Sequence, residues 1–321
     1  MKRTSAIAAV TAAALALSLA ACGSADSAAA SSAPAESTAA STEAASSEAA
    51  ASEAAPAGDF DADQDITVIS REDGSGTRGA FIELTGVEEK NADGQKVDNT
   101  TADAEIANKT DVVLTSVAGN EKAIGYISLG ALNDTVKAVK VDGAEATVDN
   151  VKNGSYKLSR PFNIATKGEP TGVAKDFINF ILSKDGQAVV TDNKYIAVDD
   201  AAEAFVSDGS SGKIAVGGSS SVSPVMEKLI EAYKSVNPNA SIDLQTSDST
   251  SGMTGAMDGT FDIGMASREL KDEEAAQLTG TAIALDGIAV IVNPANTIDE
   301  LSMDQIKSIY VGDITDWGDL A

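Results

Sequence analysis

Residues 70–81 read SREDGSGTRGAF, a run of acidic, basic, hydroxyl and glycine residues placed where a strand pattern gives way to a helix pattern. Arg71, Ser75, Gly76 and Thr77 are the residues in it that could hold a ligand. A helix N-terminus presents unpaired N–H groups and the positive end of the peptide dipoles, which suits a bound oxyanion. Glycine lets the backbone come close, and small hydroxyls add donors without bulk. Arg71 would add charge and fix orientation through its planar fork. Asp73, two residues on, is expected to hold that guanidinium in place. Three further stretches are of the same chemical kind. GGSSSVSPVMEKL offers Ser220 and Ser221 ahead of Pro224, which is expected at a first helical position. TSDSTSGMTGAMDG offers Thr250 with Ser249 and Ser251 beside it. In IGMASRELKDEE, Ser267 is expected to cap a helix that opens with charged residues. Four such junctions together suit a tetrahedral anion bound mainly by neutral donors.

The elements that must position these residues alternate. Short β-branched runs lie at 66–70, 123–129, 213–218, 262–267 and 287–293, with amphipathic stretches between them. Val225, Met226, Leu229, Ile230 and Tyr233 share one helical face, as do Val173, Phe177, Phe180 and Ile181. Such alternation predicts α/β lobes with largely parallel sheets, whose ligands sit beyond the carboxyl ends of the strands.

Composition removes several kinds of chemistry. The 321-residue chain has no histidine and one cysteine, with 23 basic and 49 acidic residues and a formal charge of −26. Without histidine there is no Ser-His-Asp or Cys-His catalysis and no His-based zinc site. One cysteine allows neither an intramolecular disulfide nor a thiolate metal cluster. The acidic balance makes nucleic acid and anionic membrane surface poor partners. An enzyme holding a nucleotide or phosphoester is the competing class. Against it, the DGSGTRG run lacks the Gly-x4-Gly-Lys-Ser/Thr pattern of a P-loop.

Residues 1–21 read as a signal peptide: Lys2 and Arg3, an apolar stretch from Ala6 to Ala21, then Cys22. Leu19-Ala20-Ala21-Cys22 resembles the lipobox of bacterial lipoproteins, which implies acylation of Cys22, palmitate included. Residues 22–58 are almost all Ala, Ser, Glu, Thr and Pro, and are expected to be a disordered tether with ends roughly 30–35 Å apart. The folded part begins at Asp59, with enough chain for two lobes.

SREDGSGTRGAF, GGSSSVSPVMEKLIEAYK, STSGMTGAMDGTFDIGMASREL and IYVGDITDW together resemble the phosphate-binding lipoproteins of bacterial phosphate ABC importers, over nearly all of residues 66–198 and 213–318. The resemblance implies a two-lobe periplasmic-binding-protein fold of type II, each lobe a mainly parallel sheet flanked by helices, with the ligand cleft between lobes. It implies a monomeric receptor rather than an enzyme, needing no cofactor or metal. That receptor would be lipid-anchored on the extracytoplasmic face of a Gram-positive cell membrane and would pass inorganic phosphate to a membrane permease. Carried over by motif, Arg71, Ser75, Gly76 and Thr77 serve one lobe; Ser220, Ser221, Thr250 and Ser267 serve the other. Some members of the family have an aspartate where this chain has Ser267, which weakens the expected rejection of sulfate. A receptor for sulfate or arsenate, or a phosphate sensor without a transport role, stays open.

The order of the segments also departs from the family. Residues 59–200 resemble its second half and 213–321 its first, so the chain reads as a circular permutant, with a truncated tandem copy as the alternative. One lobe is then expected to span 59–160 plus 293–321, and the other 161–292. Crossings between lobes are expected near Arg160–Phe162 and Val292–Pro294, and Trp317 beside the strand at 66–70.

Overall fold

The computed structural model describes Phe60 and residues 63–320. The signal peptide, Cys22, the 22–58 tether and Ala321 lie outside the described residues.

The alternation of the sequence becomes a nine-stranded sheet with helices packed against it. At one end Ala240–Ser247, Gly212–Ser219 and Ile263–Ala266 run parallel to one another. At the other end Ala123–Ser128, Thr67–Arg71 and Glu105–Ala107 do the same. The middle is antiparallel, which the expectation of mainly parallel sheets did not include. Ser159–Thr166 and Thr279–Val292 pair in opposite directions. The cause is the path of the chain: one strand leaves the first core, the other returns to it, so they must run head to tail.

Thr279–Val292 is shared. Its first part pairs with Ser159–Thr166, from Thr279 opposite Thr166 to Gly287 opposite Ser159. Its last part pairs with Ala123–Ser128, from Ile288 opposite Ser128 to Val292 opposite Ile124. Two apolar cores flank this crossing. The first gathers Ile69, Phe81, Tyr126, Leu158, Ile288, Tyr310 and Trp317, among others. The second gathers Phe162, Phe177, Met226, Tyr233, Ile283 and Ala284. Since Ile288–Val292 belong to the first core, the return crossing falls between Ala284 and Ile288. The expected crossing at Val292–Pro294, and with it the lobe end at 292, was placed too late. The apolar run at 287–293 gives no internal signal of which core it faces, because it is buried throughout.

Both amphipathic faces read from the sequence are buried. The Ser223–Val236 helix buries Val225, Met226, Leu229, Ile230 and Tyr233, each contributing about 1.5–3 kcal/mol of hydrophobic stabilisation. The Gly172–Leu182 helix buries Val173, Phe177, Phe180 and Ile181. It also buries Asp176, whose carboxylate accepts from Tyr233 Oη, Ser207 Oγ and Asp208 N at 2.7, 2.7 and 2.9 Å. These bonds fasten Ser207 and Asp208, in the stretch that leads into the Gly212–Ser219 strand, to the second core.

The two ends of the described chain meet on the first core. Ile66 N donates to Thr315 O at 2.6 Å, and Trp317 N to Gln64 O at 3.2 Å. Trp317 Nε1 donates to Lys122 O at 3.0 Å. The C-terminal helix Met303–Val311 is held in register by a capping box between Ser302 and Gln305.

Candidate functional site

Strand ends and helix starts from both cores converge on one buried group of hydroxyls and guanidinium ions. The Thr67–Arg71 strand ends in Arg71, and the Gly76–Thr85 helix follows at once with Ser75 as its N-cap, accepting from Arg78 N at 3.3 Å. From the other core, Gly212–Ser219 runs into Ser220 and Ser221, ahead of the Ser223–Val236 helix. The Ser249–Asp258 helix is capped by Asp248, which accepts from Ser251 N at 2.9 Å. Ile263–Ala266 ends beside Ser267.

Arg71 is 2% exposed. Its Nη2 donates to Ser220 Oγ across the cores at 3.2 Å, and its Nε donates to Ala107 O at 3.2 Å. The carboxylate that holds the fork is Glu72, through two bonds of 2.8 Å, and not Asp73. Asp73 pairs with Arg78 at 2.9 Å on the surface. A strand residue and its immediate successor could reach each other here because the chain turns at the strand end; Asp73 already lies in that turn, facing the helix that carries Arg78. Below Arg71, Tyr126 Oη accepts from Arg71 N at 3.1 Å and bonds Ser70 Oγ at 3.0 Å. Burial pushes the Tyr126 phenol up to about 12, so it serves as a neutral hydroxyl.

Thr77 Oγ1 lies 2.8 Å from Ser221 Oγ and 3.2 Å from Ser267 Oγ, so three hydroxyls drawn from both cores touch. Ser219 Oγ donates to Ser267 Oγ at 3.0 Å, and Ser267 N donates to Ser249 Oγ at 3.1 Å. The Ser267 oxygen therefore already accepts one bond, and its own hydrogen is left to donate. The second hydroxyl loop reaches this group through Ser249, which is fully buried. Thr250 stands outside it: its N–H donates to Gly74 O at 3.1 Å and its hydroxyl accepts from Arg268 at 3.3 Å. Ser267 does not cap a helix, since the next helix begins only at Asp272. Arg268 is drawn instead to Glu274, at 2.7 Å.

Motif reading missed four contributors. Thr110 opens the Thr110–Ala118 helix and lies 3.3 Å from Ser221 Oγ. It follows a strand of the same junction type, but that strand, Glu105–Ala107, is three residues long and mostly exposed. Ser219 sits just inside the Ser220–Ser221 run. Arg160 and Asp286 form a buried ion pair beside Thr77. Burial pushes the Asp286 carboxyl up and the Arg160 guanidinium down, while their mutual attraction opposes both shifts.

Glycine permits the convergence. A Cβ on Gly252 would stand 2.7 Å from Gly218 Cα and 2.7 Å from Met265 O, so the Ser249–Asp258 helix can approach these strands only without a side chain there. Gly252→Ala is expected to lower stability by about 1–3 kcal/mol through overpacking, read as a shift in denaturant midpoint. An unshifted midpoint would mean that this approach is loose.

Among the described residues no group of three or more His, Cys, Asp or Glu could hold a metal ion, and no helix is long and apolar enough to cross a membrane.

The arrangement can do one thing well. Two guanidinium ions, each paired with its own carboxylate, and a shell of hydroxyls on helix starts offer many buried donors to an anion of small, many-oxygen shape.

The family model described as a PBP superfamily domain matches residues 54–185 and 203–321. The chain is 55% identical over 258 residues to "Phosphate-binding protein PstS 2" of Streptococcus agalactiae serotype V, covering 80% of this chain and 88% of that protein. It is 51% identical over 252 residues to "Phosphate-binding protein PstS 2" of Streptococcus pneumoniae serotype 4, covering 78% and 86%. A crystal structure of a phosphate-binding protein of a phosphate ABC transporter, from Streptococcus pneumoniae TIGR4, superimposes with a TM-score of 0.65 at 50% identity, covering 80% of this chain and all of that one.

Proposed function

The chain belongs to the PBP superfamily, among the phosphate-binding proteins, and from that premise we propose that it captures inorganic phosphate between its two cores for an ABC importer. The observation that carries this reading is the reach of Arg71 to Ser220 and of Thr77 to Ser221 across the cores. An anion seated there would draw donors from both halves at once, so binding would favour the state in which they meet. Arg71, Ser75, Gly76, Thr77, Ser220, Ser221 and Ser267 are the proposed ligand-holding residues, with Ser249 in the place first given to Thr250. On this reading the protein is a receptor rather than an enzyme, in keeping with relatives named as phosphate-binding proteins.

Acylation of Cys22 and the 22–58 segment as a tether would hold this receptor on the outer face of the membrane, near its permease, as a monomer. The segment order is read as a circular permutation, supported by the bonds that join residues 64–66 to 315–317.

Titration calorimetry of the purified protein with phosphate, sulfate and arsenate tests the function. Tight phosphate binding with weaker sulfate binding is expected; no heat with phosphate overturns the reading. Sulfate is the competitor to watch, because Ser267 is set as a donor. Ser267→Asp is expected to reduce sulfate affinity relative to phosphate by at least tenfold. A carboxylate repels an anion that has no proton to share with it. If the ratio of the two affinities stays put, position 267 does not touch the anion.

A further inference from the structure

The strand that carries the chain out of the first core, Ser159–Thr166, holds an arginine that belongs to no motif. Arg160 is 3% exposed and Asp286 1% exposed, and they stand opposite each other in register on the two strands that cross between the cores. Arg160 Nη1 donates to the Asp286 carboxylate and, at 2.6 Å, to Gly287 O. Its Nη2 lies 3.4 Å from Thr77 Oγ1, and its Nε has no hydrogen-bond partner among the described residues. The guanidinium stands 5.0 Å from the Phe162 ring centroid.

A buried ion pair is a weak source of stability, because apolar side chains of similar volume often do as well. The position of this one points to another use. A guanidinium can only donate, so Thr77 Oγ1 accepts from Arg160. That bond leaves the single Thr77 hydrogen for another acceptor, and Ser221 Oγ and Ser267 Oγ are the hydroxyls within reach. The charge on Arg160 thus lies one hydroxyl away from the anion of the phosphate reading, on which this inference rests. We propose that Arg160 is a second cationic positioning residue of the site, orienting Thr77 as a donor, and that Asp286 is the counter-charge that sets the preference for a dianion over a monoanion.

Arg160 faces Asp286, the Tyr195 hydroxyl and Arg71; Asp286 faces Arg160, the Ser128 hydroxyl and the Gly130 N–H, which donates to it at 3.3 Å. Glu72, the other carboxylate nearby, is taken up by Arg71. Asp286→Asn therefore leaves one positive charge uncompensated.

The test titrates inorganic phosphate into the full chain and its variants at about pH 6 and about pH 8, where the monoanion and the dianion predominate. Asp286→Asn is expected to raise the ratio of affinity at the higher pH to that at the lower by about 5–10-fold over wild type. Arg160→Lys keeps the charge and loses the fork; it is expected to weaken binding about tenfold at both pH values and leave the ratio near that of wild type. Folded variants with the wild-type ratio and wild-type affinity would overturn the proposal. Should a single variant fail to fold, Arg160→Met combined with Asp286→Leu replaces the pair by apolar groups. Binding at least tenfold weaker supports the proposal, and wild-type affinity overturns it. Wild-type protein that binds no phosphate would remove the functional reading and this inference together; wild-type binding with unmoved variants removes this inference alone.

Discussion

Trp317→Ala is expected to lower the stability of the protein by about 3–5 kcal/mol, the range for truncating a large buried aromatic side chain. Trp317 is 1% exposed and belongs to the core that carries Arg71 and Thr77. Its ring meets Phe60 edge-on at 6.2 Å, and its Nε1 would leave Lys122 O without that donor. The loss reaches further than one cavity. Residues 315–317 bond residues 64–66, so Trp317 also clamps the beginning of the Thr67–Arg71 strand to the end of the chain. Denaturant unfolding measures the effect, and Trp317→Phe should recover more than half of it. A change below about 1 kcal/mol in the alanine variant would show that the C-terminal piece is not part of this core.

Arg71→Ala is expected to weaken phosphate binding by about 1.5–3 kcal/mol, the range for a hydrogen bond involving a charged group, or roughly 10–150-fold in Kd. The variant removes the donor to Ser220 and strands the Glu72 carboxylate beside an anion. Part of the loss is therefore repulsion, and Arg71→Ala combined with Glu72→Gln should bind better than Arg71→Ala alone. Arg71→Lys should fall between, since it keeps the charge but cannot form both bonds to Glu72 and reach Ser220. Calorimetric titration reads all three. An unchanged Kd in a folded Arg71→Ala protein would remove this residue from the site.

Much of the fold was legible in the chain because it is written in short-range patterns. The apolar faces of 173–181 and 225–233 recur at helical spacing, and both are buried. Alternating strand and helix signals pointed to an α/β fold, and the family model and the superposition agree. Four strands of the large sheet escaped notice, and two of them are long. Ala240–Ser247 is an edge strand whose three alternating apolar residues, Ala240, Ile242 and Leu244, give only a short signal, and Pro161 interrupts the apolar pattern of Ser159–Thr166.

By itself the sequence determined the chemistry available: no histidine, hydroxyls and glycines at strand ends, Arg71 at one of them, and amphipathic helices to hold them. The tertiary structure decided which of these groups meet. Arg71 and Ser220 are 149 residues apart, and Thr77 and Ser267 are 190 apart. Glu72 took the place given to Asp73, Ser249 the place given to Thr250, and Arg160 entered through a strand with no motif at all. The reason is one of range. Caps and apolar periodicity act within a turn or two of chain, whereas partners at such separations are set by strand register, by the crossing of two strands between cores, and by the close approach that Gly252 allows.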